Sequence, residues 1–404
     1  MRERIAAFAC LFLAPRAFFL GFLCAMVACS LAGRKLAQDG FYESFTRISG
    51  TYQVDNTFLL SPAQMVRWIR AHCSTDRELV LVGGSSIMMG AGQPVRRLWT
   101  KRLQELLGKG YCVVNLAGPS GALNGFASTT LGILGHEYKR AWLIGDMTEA
   151  VVTHSPDGVI TQKSYFWSAY YNGMLEPSFL DHGRDESGKL RLTSPMSDKD
   201  RAWVEQLRLG EWLDSWLHFN ELWSYLHYRY FTTYYFHNAG RWQWTPRATW
   251  PDYDFEFDEA QARAHKQYAE AVGSAGFNRT LERLRDLKTY FAATPSGLKL
   301  RENALGLLDT QLKDNIIDAS KQNVVIAYIG VAPYYTSHLT ADEQAAYETL
   351  YERKAAIFRR HGYHMVRPSL MVDDYTDLVH TNPLGGDKLA AAVAAGIRAA
   401  GAKR

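Results

Sequence analysis

The sequence predicts an α/β protein: a parallel sheet with helices on both faces, interrupted by a long aromatic-rich segment and preceded by an apolar helix. Three observations predict it. Short β-branched runs at 78–82, 111–116 and 140–144 alternate with helical stretches at the spacing of βα units. The alternation stops near residue 150 and resumes at 323–330. Residues 5–33 are almost wholly apolar, with Arg2 and Arg4 ahead of them and Arg34 and Lys35 behind. At 404 residues, 47% hydrophobic and 21% charged, the chain has a globular composition and room for one large domain or two smaller ones. Its net charge of +4, with no basic run or stripe, gives no case for nucleic acid.

Taken in order, residues 1–36 read as a membrane segment. Pro15 and Arg16 interrupt the apolar run, and Ala17–Gly33 is close to the short limit for a span. Arg16 can snorkel to the headgroups. Arg2, Arg4, Arg16 and the amino terminus outweigh Arg34 and Lys35, which predicts a cytoplasmic N-terminus and a main domain outside the cytoplasm. A single-pass signal anchor in the inner membrane is the preferred reading. A cleaved signal peptide ending near Ala28–Ala32 and a lipoprotein site at Cys29 are the alternatives.

Residues 37–60 read as a juxtamembrane linker. Ser61-Pro62 opens a helix over 63–72 with proline in its first turn. Glu78–Val82 is a buried parallel strand running into Gly-Gly. Pro94–Gly108 is an amphipathic helix closed by glycine, and Tyr111–Leu116 a second strand. Gly125–Tyr138 is helical, and Arg140–Ile144 is a third strand ending in Gly-Asp. Residues 151–320 hold eight of the eleven tryptophans without βα alternation and read as an insertion. Within it the aromatic run 218–236 is expected chiefly as core, with a sugar-stacking face or a membrane-interface belt as alternatives. Asn323–Gly330 is a strand, Ala341–Arg360 a helix, Tyr363–Arg367 a short strand and Leu384–Ala400 the closing helix. The α/β domain is thus split into 61–150 and 321–404. Cys73 and Cys112 are expected as two unpaired buried thiols, with a disulfide in an oxidising compartment as the alternative. No histidine has metal-ligand spacing, so no metal site is expected.

Open α/β sheets place ligands at the carboxyl ends of their strands. There the chain offers Gly84-Ser85-Ser86-Ile87 after the first strand and Asp377-Leu378-Val379-His380 before the last helix. A serine hydroxyl needs a base within hydrogen-bond reach, and the base needs an acceptor to orient it. Ser86 as nucleophile, His380 as base and Asp377 as orienting acid supply the three roles. The Ser86 N–H at the strand end can also face a developing oxyanion.

These residues resemble the SGNH (GDSL) hydrolase superfamily. Gly90 follows Ser86 at the family's glycine spacing, and the second block resembles Asn115-Leu116-Ala117-Gly118-Pro119-Ser120-Gly121. The Asp-x-x-His block is the closest match. Ser85 stands where the family commonly has Asp, and Gly145-Asp146-Met147-Thr148 stands at the third block without its Asn. The resemblance implies a three-layer α/β/α sandwich, with oxyanion-hole N–H groups from Ser86 and from Gly118 or Gly121, and Asp146 at the third-block position. The layout is similar to the membrane-anchored DltD-type branch and, more loosely, to the SGNH proteins of alginate and cellulose O-acetylation. It implies an extracytoplasmic O-acyltransferase that moves an acetyl or D-alanyl group through a Ser86 ester onto an envelope or secreted polysaccharide. A membrane-bound O-acyltransferase is the implied partner, and no cofactor beyond the acyl donor is implied. An esterase using the same triad, and a non-catalytic member of an acylation complex, are the alternatives.

Overall fold

The computed structural model describes residues 2–38, 62–90, 92–93, 97–118, 125–148, 164–188, 198–226, 233–236, 241–244, 273–285, 290–294, 297–313, 317–319 and 321–402. The chain opens with one apolar helix, α1 (Arg2–Gln38), with Pro15 inside it. Pro15–Lys35 is long and apolar enough to cross a membrane. Such a helix near an N-terminus fits an anchor or a signal sequence. Most of the expected linker lies outside the described residues.

Helix α2 (Pro62–His72) leads into β1 (Glu78–Val82), the short helix α3 (Ser86–Met89), α4 (Trp99–Leu107), β2 (Tyr111–Asn115), α5 (Phe126–Leu134) and β3 (Arg140–Met147). Helices α6 (Ser164–Tyr171), α7 (Pro177–Leu180), α8 (Asp198–Leu217) and α9 (Phe219–Leu226) follow. Next come two antiparallel ribbons, β4 (Thr233–Phe236) with β5 (Arg241–Trp244) and β6 (Phe291–Thr294) with β7 (Gly297–Leu300). Helix α10 (Ala275–Arg285) lies between the ribbons in sequence, and α11 (Glu302–Lys313) follows the second. The chain closes with β8 (Asn323–Tyr328), α12 (Pro333–Thr336), α13 (Ala341–Arg360), β9 (His364–Val366) and α14 (Pro383–Gly401).

Five strands form one parallel sheet in the order β2-β1-β3-β8-β9. β1 carries four consecutive fully buried residues, Leu79 to Val82, because the sheet is covered on both faces. Right-handed crossovers put α4 and α5 on opposite faces, since β1→β2 and β2→β3 step in opposite directions. Helix α14 packs on α4 and on β8 and β9, through Leu389, Val393, Ala394 and Ile397. The strands come from 78–147 and 323–366, so the segment between β3 and β8 adds no described strand to this sheet.

The strands and helices follow the sequence pattern, with differences at several element ends. β3 runs three residues past Ile144, because Gly145–Met147 pair with Ile326–Tyr328 of β8. The helix expected from Pro94 starts at Trp99, where Leu98 is extended and the Trp99 N–H is taken by the Gln93 side-chain oxygen at 2.8 Å. The helix expected over 125–138 ends at Leu134 and tightens into a 3₁₀ turn over Gly135–Glu137. The expectation of two unpaired buried thiols is corrected: Cys73 and Cys112 are joined in a disulfide, with Cα atoms 5.7 Å apart. The parallel register that sets Glu78 opposite Tyr111 brings them together, and strand periodicity carries no sign of that pairing. The described part of the aromatic run is not simply core. Glu221 is buried while Trp223 is 64% exposed, and residues 227–232 lie outside the described residues.

The disulfide closes a 39-residue separation, for which chain entropy gives about 4 kcal/mol of stabilisation. Urea unfolding of the detergent-solubilised chain, oxidised and reduced, checks this. The expected outcome is a lower midpoint on reduction and the same loss in Cys73→Ala/Cys112→Ala.

Candidate active site

Ser86 is the first residue of α3, and its placement starts with Gly84. Gly84 has φ +100°, a conformation that L side chains rarely adopt. A Cβ there would collide with the Asp146 carboxylate. Ser85 then caps α3. Its hydroxyl accepts the Ile87 N–H at 3.2 Å and donates to Asp146 Oδ2, while its own N–H donates to Asp146 Oδ1 at 3.0 Å. Asp146 reaches this point because β3 pairs with β1 in register, Val82 opposite Ile144. The turn carrying Ser86 is therefore clamped to the end of β3.

His380 arrives from the far end of the chain. Its Nε2 lies 2.7 Å from Ser86 Oγ, across 294 residues of sequence. Its Nδ1 lies 2.7 Å from Asp377 Oδ2. Asp377 Oδ1 accepts the backbone N–H groups of Val379 (2.9 Å) and His380 (2.8 Å), so the carboxylate folds the turn that presents the imidazole. Tyr375 and Thr381 bridge antiparallel across the base of this loop. The Thr376 N–H and hydroxyl both donate to the His380 carbonyl, at 2.9 and 3.1 Å. The loop is tied to the end of β8 by Ala332 N–H to Leu378 O (2.8 Å) and by the Tyr375 hydroxyl to Gly330 O (2.9 Å). Asn382 caps α14 immediately after the loop, accepting the Leu384 and Gly385 N–H groups.

Gln93 joins the two halves. It is fully buried, accepts the Trp99 N–H and donates to the Thr381 hydroxyl at 2.8 Å. The sequence pointed to neither Gln93 nor the Ser85–Asp146 clamp. The one available signal for the clamp was Gly-Asp ending a strand adjacent to the one that leads into Gly-Ser-Ser.

Charge favours a working His–Asp pair. Desolvation raises the Asp377 carboxyl, but the His380 charge and the bonds from His380 and Val379 outweigh it and bring the group down to about 2. Desolvation lowers the His380 imidazole, but Asp377, with Asp146 adding to it, holds it above its ordinary value. Asp146 is pushed upward, because its desolvation exceeds the help from the Ser85 donors and from His380.

The structure thus brings together Ser86, His380, Asp377 and Asp146. The Ser86 N–H, first in its helix, has no intrahelical acceptor. Gly118 is turned aside, its N–H donating to the Gly84 carbonyl at 3.3 Å. Gly121 lies outside the described residues. Comparison with family models, with curated proteins and with solved structures finds no match.

Because both carboxylates favour the imidazolium, His380 is expected to titrate above the usual histidine value of about 6.5. Imidazole ¹⁵N NMR, assigned with His380→Gln, reads it. Asp377→Asn is expected to lower the value most, and Asp146→Asn to lower it less.

Proposed function

We propose that this chain is a serine acyltransferase of SGNH type, anchored in the membrane and acting outside the cytoplasm on a polysaccharide hydroxyl. The observation that carries the reading is the chain of two 2.7 Å contacts, Ser86 Oγ to His380 Nε2 and His380 Nδ1 to Asp377 Oδ2. Two short contacts in series, at the carboxyl edge of one parallel sheet, are what an activated serine needs.

In the proposed cycle, Ser86 Oγ attacks the carbonyl carbon of an acyl donor while its proton passes to His380 Nε2. Asp377 holds Nδ1–H and stabilises the imidazolium. The Ser86 N–H faces the oxyanion of the tetrahedral intermediate. As that intermediate collapses, the bond to the leaving group breaks and His380 returns the proton to the leaving group, giving a Ser86 ester. An acceptor hydroxyl then gives its proton to His380 and attacks the ester, and the same steps in reverse release Ser86.

Three features support transfer in the cell envelope. Pro15–Lys35 is long enough to hold the chain at a membrane. The Cys73–Cys112 disulfide belongs to an oxidising compartment. Asp146 stands where the family has an amide donor, and its two oxygens are taken up by the Ser85 N–H and hydroxyl, which leaves an oxyanion no donor there. A hole with fewer donors favours a preloaded acyl donor, supplied by a membrane-bound O-acyltransferase, over hydrolysis of ordinary esters.

The test is partitioning of the acyl group. The full chain, given a chromogenic acetyl ester and an envelope oligosaccharide, is expected to form acetylated sugar in preference to free acetate. Free acetate alone, undiminished by added sugar, would make it an esterase. Ser86→Ala is expected to abolish both products, and Asp377→Asn to slow turnover by roughly 10³–10⁴-fold through loss of imidazole orientation. Product formation unchanged in Ser86→Ala would contradict the reading. Turnover is expected to rise with pH through the raised His380 value, since only neutral imidazole accepts the Ser86 proton.

A further inference from the structure

The face that α1 buries lies inside its apolar span. Among the described positions of Pro15–Lys35, Met26 and Ser30 are partly buried and Gly33 is buried, at the i, i+4, i+7 spacing of one helix face. Helix α1 packs mainly against α9, and also against α8 and α2. At Gly33 the approach is close enough that a Cβ would collide with the His218 carbonyl, between α8 and α9. From Met26 to Lys35 is about 13 Å of helix at 1.5 Å per residue. If Pro15–Lys35 crosses the bilayer, whatever covers that stretch sits at the depth of the interface or below it.

Toward the C-terminal end of α8 the described outward side chains are apolar. Leu209, Trp212, Leu213 and Trp216 recur at i, i+3, i+4 and i+7 of α8, and Trp212 and Trp216 are 62% and 72% exposed. Trp223 of α9 adds a third exposed indole. Among the described residues the stripe lies in the last turns of α8, which lead into the His218–Gly33 contact. One turn earlier the surface carries the exposed Arg208–Glu205 pair. Asp214 and Glu221 point the other way and are buried against Arg67 of α2, which fastens α8 and α9 to the sheet domain.

We propose that the C-terminal turns of α8, with Trp223 of α9, dip into the bilayer surface at the Gly33 end of α1, as an interfacial element whose ligand is lipid. Indole and leucine side chains with a charged pair just above them match the headgroup boundary, where such helices bury about 5–10 Å deep. The span and the stripe then hold the sheet domain at two points, which fixes the height and tilt of the Ser86 loop above the membrane. The inference rests on reading α1 as a resident span, and the test separates the two.

The full chain, with Cys10, Cys24 and Cys29 replaced by serine, receives one nitroxide at a time through Leu209→Cys, Trp212→Cys, Leu213→Cys or Trp216→Cys. Glu205→Cys, Arg208→Cys and Val27→Cys serve as references. In phosphatidylethanolamine/phosphatidylglycerol nanodiscs, the four stripe labels are expected to collide more with oxygen than with a water-soluble nickel chelate. Labels at 205 and 208 are expected to show the reverse. Water-like values at all four stripe positions, with Val27 in lipid, would overturn the inference and leave the span intact. Shielding from both reagents would overturn it in favour of a protein on that face. A water-like Val27 would remove the span and the inference together. In the otherwise unaltered chain, lipids brominated near the headgroup are expected to quench tryptophan emission, and Trp212→Phe/Trp216→Phe to remove much of that quenching. Unchanged quenching would count against lipid contact.

Discussion

The hydrogen bond between Ser86 and His380 spans 294 residues, and much of the fold serves to close that distance. Loop-closure entropy grows only slowly with loop length, so the separation itself costs little more than a shorter one. What must be supplied is geometry. The order β2-β1-β3-β8-β9 sets the end of β1 beside β3 and β3 beside β8, and the His380 loop is tied to the chain just past β8. Gln93 then crosses from the Ser86 side to Thr381 on the His380 side. The contact is held by buried backbone and amide groups whose loss would leave unsatisfied donors, each costing about 1–3 kcal/mol.

Asp146 changes the character of this site. At the end of β3 it supplies an acceptor, and both oxygens are occupied by Ser85. The carboxylate positions the turn that carries Ser86 and adds its charge beside His380.

Much of this was legible in the sequence, for identifiable reasons. β1 was readable to the residue because a short run of apolar, partly β-branched side chains ending in Gly-Gly fits a strand covered on both faces. The helix Ala341–Arg360 was readable because Thr340 and Glu343 form a capping box at its start and Gly362 follows its end. That Ser86, His380 and Asp377 meet was readable from residue type and from the three-residue spacing of Asp377 and His380 ahead of the last helix. The disulfide, the Gln93 crosslink and the Ser85–Asp146 clamp were not. Each depends on which residues meet across strands or between the two ends of the chain, and local pattern is silent on that. The exposed stripe on α8 was hidden for a different reason. Its residue types are those of a core, and only burial distinguishes a core face from a lipid face.

The central claim is that His380 activates Ser86 and no neighbouring hydroxyl. Labelling the full chain with a fluorophosphonate and mapping the modified peptide tests it most directly. The account predicts an adduct on Ser86, none on Ser85 one residue away, and loss of the adduct in His380→Ala. An adduct on another serine, or on Ser86 at an undiminished rate in His380→Ala, would contradict it.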